Sequence, residues 1–139
     1  MFVCKLLPLR QNGGVGTNAD DVRRIALALP SALEGDDKTS YSVEGGKSFA
    51  WTWKKRIEPK KARVEQLDVF AVRVSGAEEK AALIASDPAK FFTEAHYNGY
   101  PAVLVRLDEI EADELAELLA DGWRLAAPRR LLARLDAKD

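Results

Sequence analysis

Two alternating runs of residues, separated by a pair of glycines, constrain the fold of this chain more than any other feature. The first run is SYSV, residues 40–43, the second is SFAWTW, residues 48–53, and Gly45-Gly46 lies between them. Apolar side chains at every second position predict strands with one buried face. A glycine pair between two such runs is typical of a tight β-hairpin. The middle of the chain is therefore predicted to form an antiparallel hairpin.

Trp51 and Trp53 follow Phe49 at two-residue intervals in the second run. Side chains two positions apart on a strand point to the same face. We therefore expect both indoles to share the buried face of Phe49 and to belong to the core. The alternative, an exposed ring that stacks on a nucleic-acid base, stays open.

Helical patterns precede and follow the hairpin. Asn18 or Asp20 can cap a first helix that Pro30 ends. Ser75, with Glu78 three residues later, has the capping-box spacing for a second helix. The remaining segments are predicted as strands over about 69–74 and 102–107, a long helix over about 112–125 and a basic helix over 129–135. Because the strands are grouped rather than alternating strictly with helices, this order predicts an α+β fold of two layers, with helices packed on one face of an antiparallel sheet.

Length and composition restrict the class of protein. The chain has 139 residues, 47% of them hydrophobic and 31% charged, with a formal net charge of -1. The length predicts one globular domain over 18–139 after an N-terminal extension over 1–17. The net charge excludes a uniformly basic nucleic-acid binder, but it does not exclude a local basic patch.

Cys4 is the only cysteine, so no intramolecular disulfide can form, as expected in a reducing compartment. Without an apolar stretch long enough for a membrane span or a secretory signal, we expect a cytoplasmic protein with no membrane partner.

The segment KKRIEPKKAR, residues 54–63, is the strongest local charge feature. It carries six cations against Glu58: Lys54, Lys55, Arg56, Lys60, Lys61 and Arg63. Such a hairpin tip can neutralise phosphates, which makes binding salt-dependent. The alternative is a solvated loop whose charges discourage edge-to-edge pairing of sheets. Lys47, Arg129 and Arg130 are candidates for a wider patch of the same kind.

The opposite charge dominates DEIEADELAELLAD, residues 108–121, which carries seven carboxylates and no basic residue. Negative charge at the start of a helix is stabilised by the helix dipole. We interpret this segment as a solvated helix face, and we predict neither a metal site nor a cofactor.

The only histidine lies in HYNGYP, residues 96–101. Gly99 permits a positive φ and Pro101 fixes the entry to the next strand, which predicts a rigid turn tied to its neighbours by imidazole and phenol hydrogen bonds. His96, Tyr97 and Tyr100 are also possible ligand contacts. Catalysis through them would need a nearby nucleophile or an orienting carboxylate, and no nucleophile motif is present. We therefore expect a non-enzymatic protein, with an enzyme acting on a small molecule as an open alternative.

Four blocks of the chain stand out together: VRRIALALPSALE, GGKSFA, LIASDPAKFFTEAHYNGYPAVLVRLDEI and DELAELLADGWRLAAPRRLLA. In their order and spacing they resemble the MmcQ/YjbR family of small bacterial proteins, and the resemblance covers about residues 19–135. It implies an α+β domain with a frataxin/CyaY-like arrangement, and a DNA-binding role through loops that project as a pair of wings. The chain departs from the family where KTSYSV replaces an HPSFRV-like strand, and in its longer and more basic connection after the tryptophan strand.

These observations predict a DNA-binding protein that contacts the phosphates of double-stranded DNA through basic hairpin loops. The alternative is a protein-interaction or regulatory module that docks on an acidic partner through the same loop.

Overall fold

A computed structural model describes residues 16–36, 39–55, 64–94 and 97–137. Within them, six strands form one sheet: β1 (Ala32–Glu34), β2 (Ser40–Val43), β3 (Ser48–Lys55), β4 (Val64–Arg73), β5 (Phe91–Phe92) and β6 (Ala102–Arg106). Their order across the sheet is β1-β2-β3-β4-β6-β5, and every neighbouring pair is antiparallel. The predicted hairpin is the β2–β3 pair, with Gly45 in its turn at φ 78°.

Four helices accompany this sheet in the described residues: α1 (Ala19–Leu27), α2 (Ala77–Ser86), α3 (Ala112–Ala126) and α4 (Arg129–Ala137). Asn18, one of the two predicted caps, begins α1, and it forms a reciprocal capping box with Asp21 that was not predicted. The capping box predicted for α2 is wrong. The chain stays extended through Gly76, so the helix begins later, and the carboxylate of Glu79 rather than Glu78 accepts the Ser75 N–H.

Helices α1 and α3 cover one face of the sheet and bury the larger core, which includes Phe49, Phe70 and Leu119. A Cβ on Gly122 of α3 would lie 3.1 Å from the carbonyl oxygen of Arg73, so the missing side chain lets α3 approach the sheet closely. The predicted α+β fold, an antiparallel sheet with helices packed against it, is confirmed.

A β-bulge interrupts the alternation of β3. Ser42 pairs with Ser48, whereas Tyr41 pairs with Ala50, so Phe49 is an extra residue on β3. Phe49 and its neighbour Ala50 both belong to the core on the helix side. One extra residue reverses the faces of all the side chains that follow it.

Because of that bulge, Trp51 and Trp53 face away from the helices. The expectation that they share the face of Phe49 is wrong, since a period of two does not hold across a bulge. Both indoles are half-buried and pack on a second cluster made of Val69, Ala71, Ala102 and Leu104, with Phe92 and Tyr97 beside them. No helix residue belongs to this cluster in the described part of the chain, and we call this side of the sheet the open face.

Candidate functional site

The turn between β2 and β3 packs directly on the link between α3 and α4. The backbone N–H of Lys47 donates to the carbonyl oxygen of Ala126 at 3.0 Å. A Cβ on Gly46 would lie 2.2 Å from that same oxygen and 3.1 Å from Cδ of Pro128. This contact places Lys47 beside the start of α4.

Basic side chains collect at this contact, which we call the basic end and define as Lys47, Arg129, Arg130 and Arg134. All four are exposed. Arg130 and Arg134 line a shallow concavity of about 320 Å³ with Glu44. Among the described residues, no ion pair joins any of these four cations to a carboxylate. Arg134 was not among the predicted site residues, although its i,i+4 spacing from Arg130 on a helix places the two side by side.

The carboxylates in the first turn of α3 lie too far away to cancel this charge. Ala126 is twelve residue steps from Glu114, which corresponds to about 18 Å along a helix. This distance exceeds the screening length of about 8 Å at physiological salt. Glu114 also has a partner of its own, because Lys90 donates a hydrogen bond to it, and this bond raises the pKa of that lysine.

Lys54 and Lys55 are the last two residues of β3 and lie at the end of the strand away from Lys47. Lys55, the last residue of β3, pairs with Val64 of β4. The eight residue steps from Lys47 to Lys55 correspond to roughly 26 Å of extended strand. The structure therefore brings Lys47, Arg129 and Arg130 together, and it separates them from Lys54 and Lys55. The predicted site residues Arg56, Lys60, Lys61, Arg63 and His96 lie outside the described residues.

Tyr97 and Tyr100, the other predicted contacts, form an aromatic group with Trp51 beside the open face. The indole Nε1–H of Trp51 donates to the hydroxyl oxygen of Tyr97 at 3.0 Å. Tyr100 makes edge-to-face contacts with Trp51 and Tyr97 at centroid distances of 6.2 and 6.0 Å. Gly99 has the positive φ expected for the turn, 79°. A phenol hydrogen bond thus ties this turn to β3.

Lys80 is a buried cation that the sequence analysis did not single out. It is only 7% exposed, and its Nζ donates to the carbonyl oxygens of Tyr97 and, at 3.1 Å, Tyr100. Burial lowers the pKa of this amine. The sequence did contain one indication of this burial, because Lys80 lies between Ala77 and Ile84 on the apolar face of α2.

Neither a metal centre nor a membrane span emerges from the described residues. No group of three or more His, Cys, Asp or Glu side chains there could hold a metal ion. None of the helices in that part of the chain is both long and apolar enough to cross a membrane.

The sequence matches the model of the YjbR family over residues 27–125. The chain belongs to the YjbR family. The predicted membership is thereby confirmed. The YjbR match runs from the end of α1 to the last turn of α3, so it includes Lys47, while Arg129, Arg130 and Arg134 follow it.

Two relatives illustrate what this YjbR chain is similar to. The uncharacterised proteins Rv2570 of Mycobacterium tuberculosis and Mb2600 of Mycobacterium bovis are each 40% identical to it over 119 residues. These alignments cover 81% of this chain and 91% of each relative. No solved structure matches the chain.

Proposed function

We propose that this protein binds nucleic acid, with double-stranded DNA as its partner, and that it catalyses no reaction. The observation that carries the proposal is the convergence of Lys47, Arg129 and Arg130 at the basic end, on a surface where no described carboxylate pairs with them. Exposed cations that are not neutralised within the protein can contact phosphates and release the counterions condensed on them.

The start of α4 adds to this attraction. The helix begins at Arg129, directly after Pro128, so its positive dipole end lies at the basic end. Backbone N–H groups at a helix N-terminus favour a phosphate group. The positive end of α4 therefore adds to the charge that the two arginines bring to the basic end.

Lys54 and Lys55, at the other end of β3, give the proposed interface its length. The span of roughly 26 Å along β3 corresponds to about eight base pairs at 3.4 Å each. A duplex longer than this can contact both ends of β3 at once, whereas a shorter duplex contacts one end. The proposed contacts join lysine and arginine side chains to phosphates, which carry no sequence information, so we expect binding with little sequence preference.

The test is fluorescence anisotropy with a labelled duplex longer than this span, between about 50 mM and 200 mM salt. The triple variant Lys47→Gln, Arg129→Gln, Arg130→Gln is expected to weaken binding for all sequences. It should also reduce the slope of log affinity against log salt by about three, since each phosphate contact contributes about 0.9.

The control variant is Arg23→Gln with Arg24→Gln on α1. These arginines are also exposed, but they pair with Glu34 at 2.8 Å and with Asp21 at 2.9 Å. Their charge is already neutralised, so we expect wild-type affinity and slope.

The proposal fails if the wild-type protein does not bind DNA at low salt, or if the triple variant keeps the wild-type slope. An acidic protein that co-purifies through nuclease treatment, with no DNA binding, would favour the protein-interaction module instead. Lys60→Glu with Lys61→Glu tests the contribution of the segment 54–63 in the same assay.

A further inference from the structure

A cleft of about 280 Å³ lies between α2 and the turn that precedes β6. Its walls are mostly apolar, with Ala81 and Ile84 on the helix side and Tyr100 and Pro101 on the turn side. Thr93 and Asn98 contribute polar groups, and the Thr93 hydroxyl donates to the Asn98 side-chain oxygen at 3.4 Å. Concave apolar surface with a few polar groups is typical of small-molecule sites.

Lys80 brings a positive charge to this apolar cleft. Its Nζ donates to the carbonyl oxygens of Tyr97 and Tyr100, which accounts for two of the three N–H groups of an ammonium. No carboxylate pairs with Lys80 among the described residues. A buried charge without a counter-ion is costly, and residues of this kind are almost always paired. The third N–H group and the uncompensated charge leave a place for an anion.

We propose that this cleft binds a small monocarboxylic acid with an apolar body. The carboxylate accepts the remaining N–H of Lys80, and the body lies against Ile84, Tyr100 and Pro101. The volume of the cleft lies just below the range of about 300–1,000 Å³ that is usual for ligand pockets. It corresponds to the volume that roughly nine water molecules occupy in the liquid. A ligand the size of a short fatty acid or a single aromatic ring suits this space.

The charges of α2 favour a single negative charge over two. Glu78 and Glu79 lie in its first turn, close to Gly76 and Ala77 of the cleft wall. Like charges repel a dianion such as phosphate more strongly than a monoanion. The single positive charge of Lys80 balances a carboxylate, whereas it leaves excess negative charge on a phosphate dianion.

This inference is independent of nucleic-acid binding, because neither Lys80 nor the cleft belongs to the basic end. The two proposals can therefore fail separately.

The experiment titrates the whole chain with four acids: acetate, hexanoate, benzoate and indole-3-acetate. Each is compared with its neutral amide by following backbone amide resonances in a nitrogen–proton NMR spectrum. We expect at least one acid to shift the resonances of Gly76 and Gly99, which line the cleft. That acid should bind about tenfold more tightly than its amide.

Two variants separate recognition from folding. Lys80→Met should bind the acid no better than the amide. Lys80→Met also removes the hydrogen bonds that hold the turn at Tyr97 and Tyr100, so a second variant is needed that keeps them. Ala81→Leu fills the cleft from the helix side, where Ala81 is exposed, and should abolish the resonance shifts caused by both the acid and the amide. Lys47→Gln, at the basic end, should leave both titrations unchanged.

The proposal is overturned if none of the four acids shifts these resonances at millimolar concentration. It is equally overturned if acids and amides bind alike, or if Lys80→Met retains the wild-type preference for acid over amide.

Discussion

Replacing Gly46 by alanine tests whether the turn between β2 and β3 is held against the α3–α4 link. The added Cβ would lie 2.2 Å from the Ala126 carbonyl oxygen, whereas ordinary contacts begin at 3.4 Å. The obstacle is backbone rather than the end of a flexible side chain. The turn must therefore move away from the link by about 1 Å or more.

The cost can be worked out from the contacts that this movement breaks. The hydrogen bond from Lys47 N–H to the Ala126 oxygen is 3.0 Å long and would exceed hydrogen-bonding distance. Its loss costs about 0.5–1.5 kcal/mol, and strain from overpacking adds about 1–3 kcal/mol. We expect Gly46→Ala to lower the free energy of unfolding by about 2–4 kcal/mol. The variant should also weaken DNA binding, because Lys47 moves away from Arg129 and Arg130.

Gly45→Ala is the matched control. Gly45 has a φ of 78°, but its Cβ would lie 3.8 Å from Cγ of Pro128, which is an ordinary contact. Only the left-handed backbone opposes this change, at about 1–2 kcal/mol. We expect Gly45→Ala to be the milder variant and to retain the DNA affinity of the wild type.

The assay is urea unfolding followed by tryptophan fluorescence, with DNA affinity measured in parallel. If Gly46→Ala destabilises the protein no more than Gly45→Ala does, the reasoning from this contact is refuted. If Gly46→Ala is destabilised but binds DNA like the wild type, the contact is structural and does not set the spacing of the cations.

Three further variants test other parts of the structure in the same unfolding assay. Thr52→Val should stabilise the protein by about 1 kcal/mol, because the Thr52 hydroxyl is buried and has no hydrogen-bond partner in the described part of the chain; a loss of stability would contradict this. Burial lowers the pKa of Lys80, so at pH values between that lowered pKa and the ordinary lysine pKa of about 10.4 the unfolded state binds more protons than the folded state. The stability of the wild type should therefore rise with pH in this window relative to that of Lys80→Met. Parallel curves of stability against pH for the two proteins would contradict this prediction. Trp123→Phe removes the indole donor to the Pro30 carbonyl oxygen at 2.8 Å and should cost about 1–2 kcal/mol, whereas an unchanged urea midpoint would show that this bond contributes nothing.

Much of the fold follows from local patterns that extend over several residues. The cap of α1 by Asn18, the end of α1 before Pro30 and the glycine turn of the hairpin each depend on neighbours in the sequence, and each was predictable. Strands β1 and β5 have only three and two residues. No periodicity can be recognised over so few positions, so both were missed.

The candidate sites depend on contacts between segments far apart in the chain, and these are less predictable. Lys47 was a candidate from its charge alone, but only the packing of Gly46 on the α3–α4 link shows that it joins Arg129 rather than Lys55. Lys80 was visible as a lysine within an apolar stripe. Such a lysine can extend its amine to solvent, so its burial could not be foreseen.

The bulge at Phe49 determines which side of the sheet carries each aromatic side chain of β3. By inserting one position into β3, it shifts the phase of the strand, so that Trp51 and Trp53 point outward although Phe49 points inward. In a strand with a regular period, both large indoles would compete for volume that α3 already fills. The length of this strand, rather than its composition, therefore decides that the aromatic rings of Trp51 and Trp53 lie on the side of the sheet that no described helix covers.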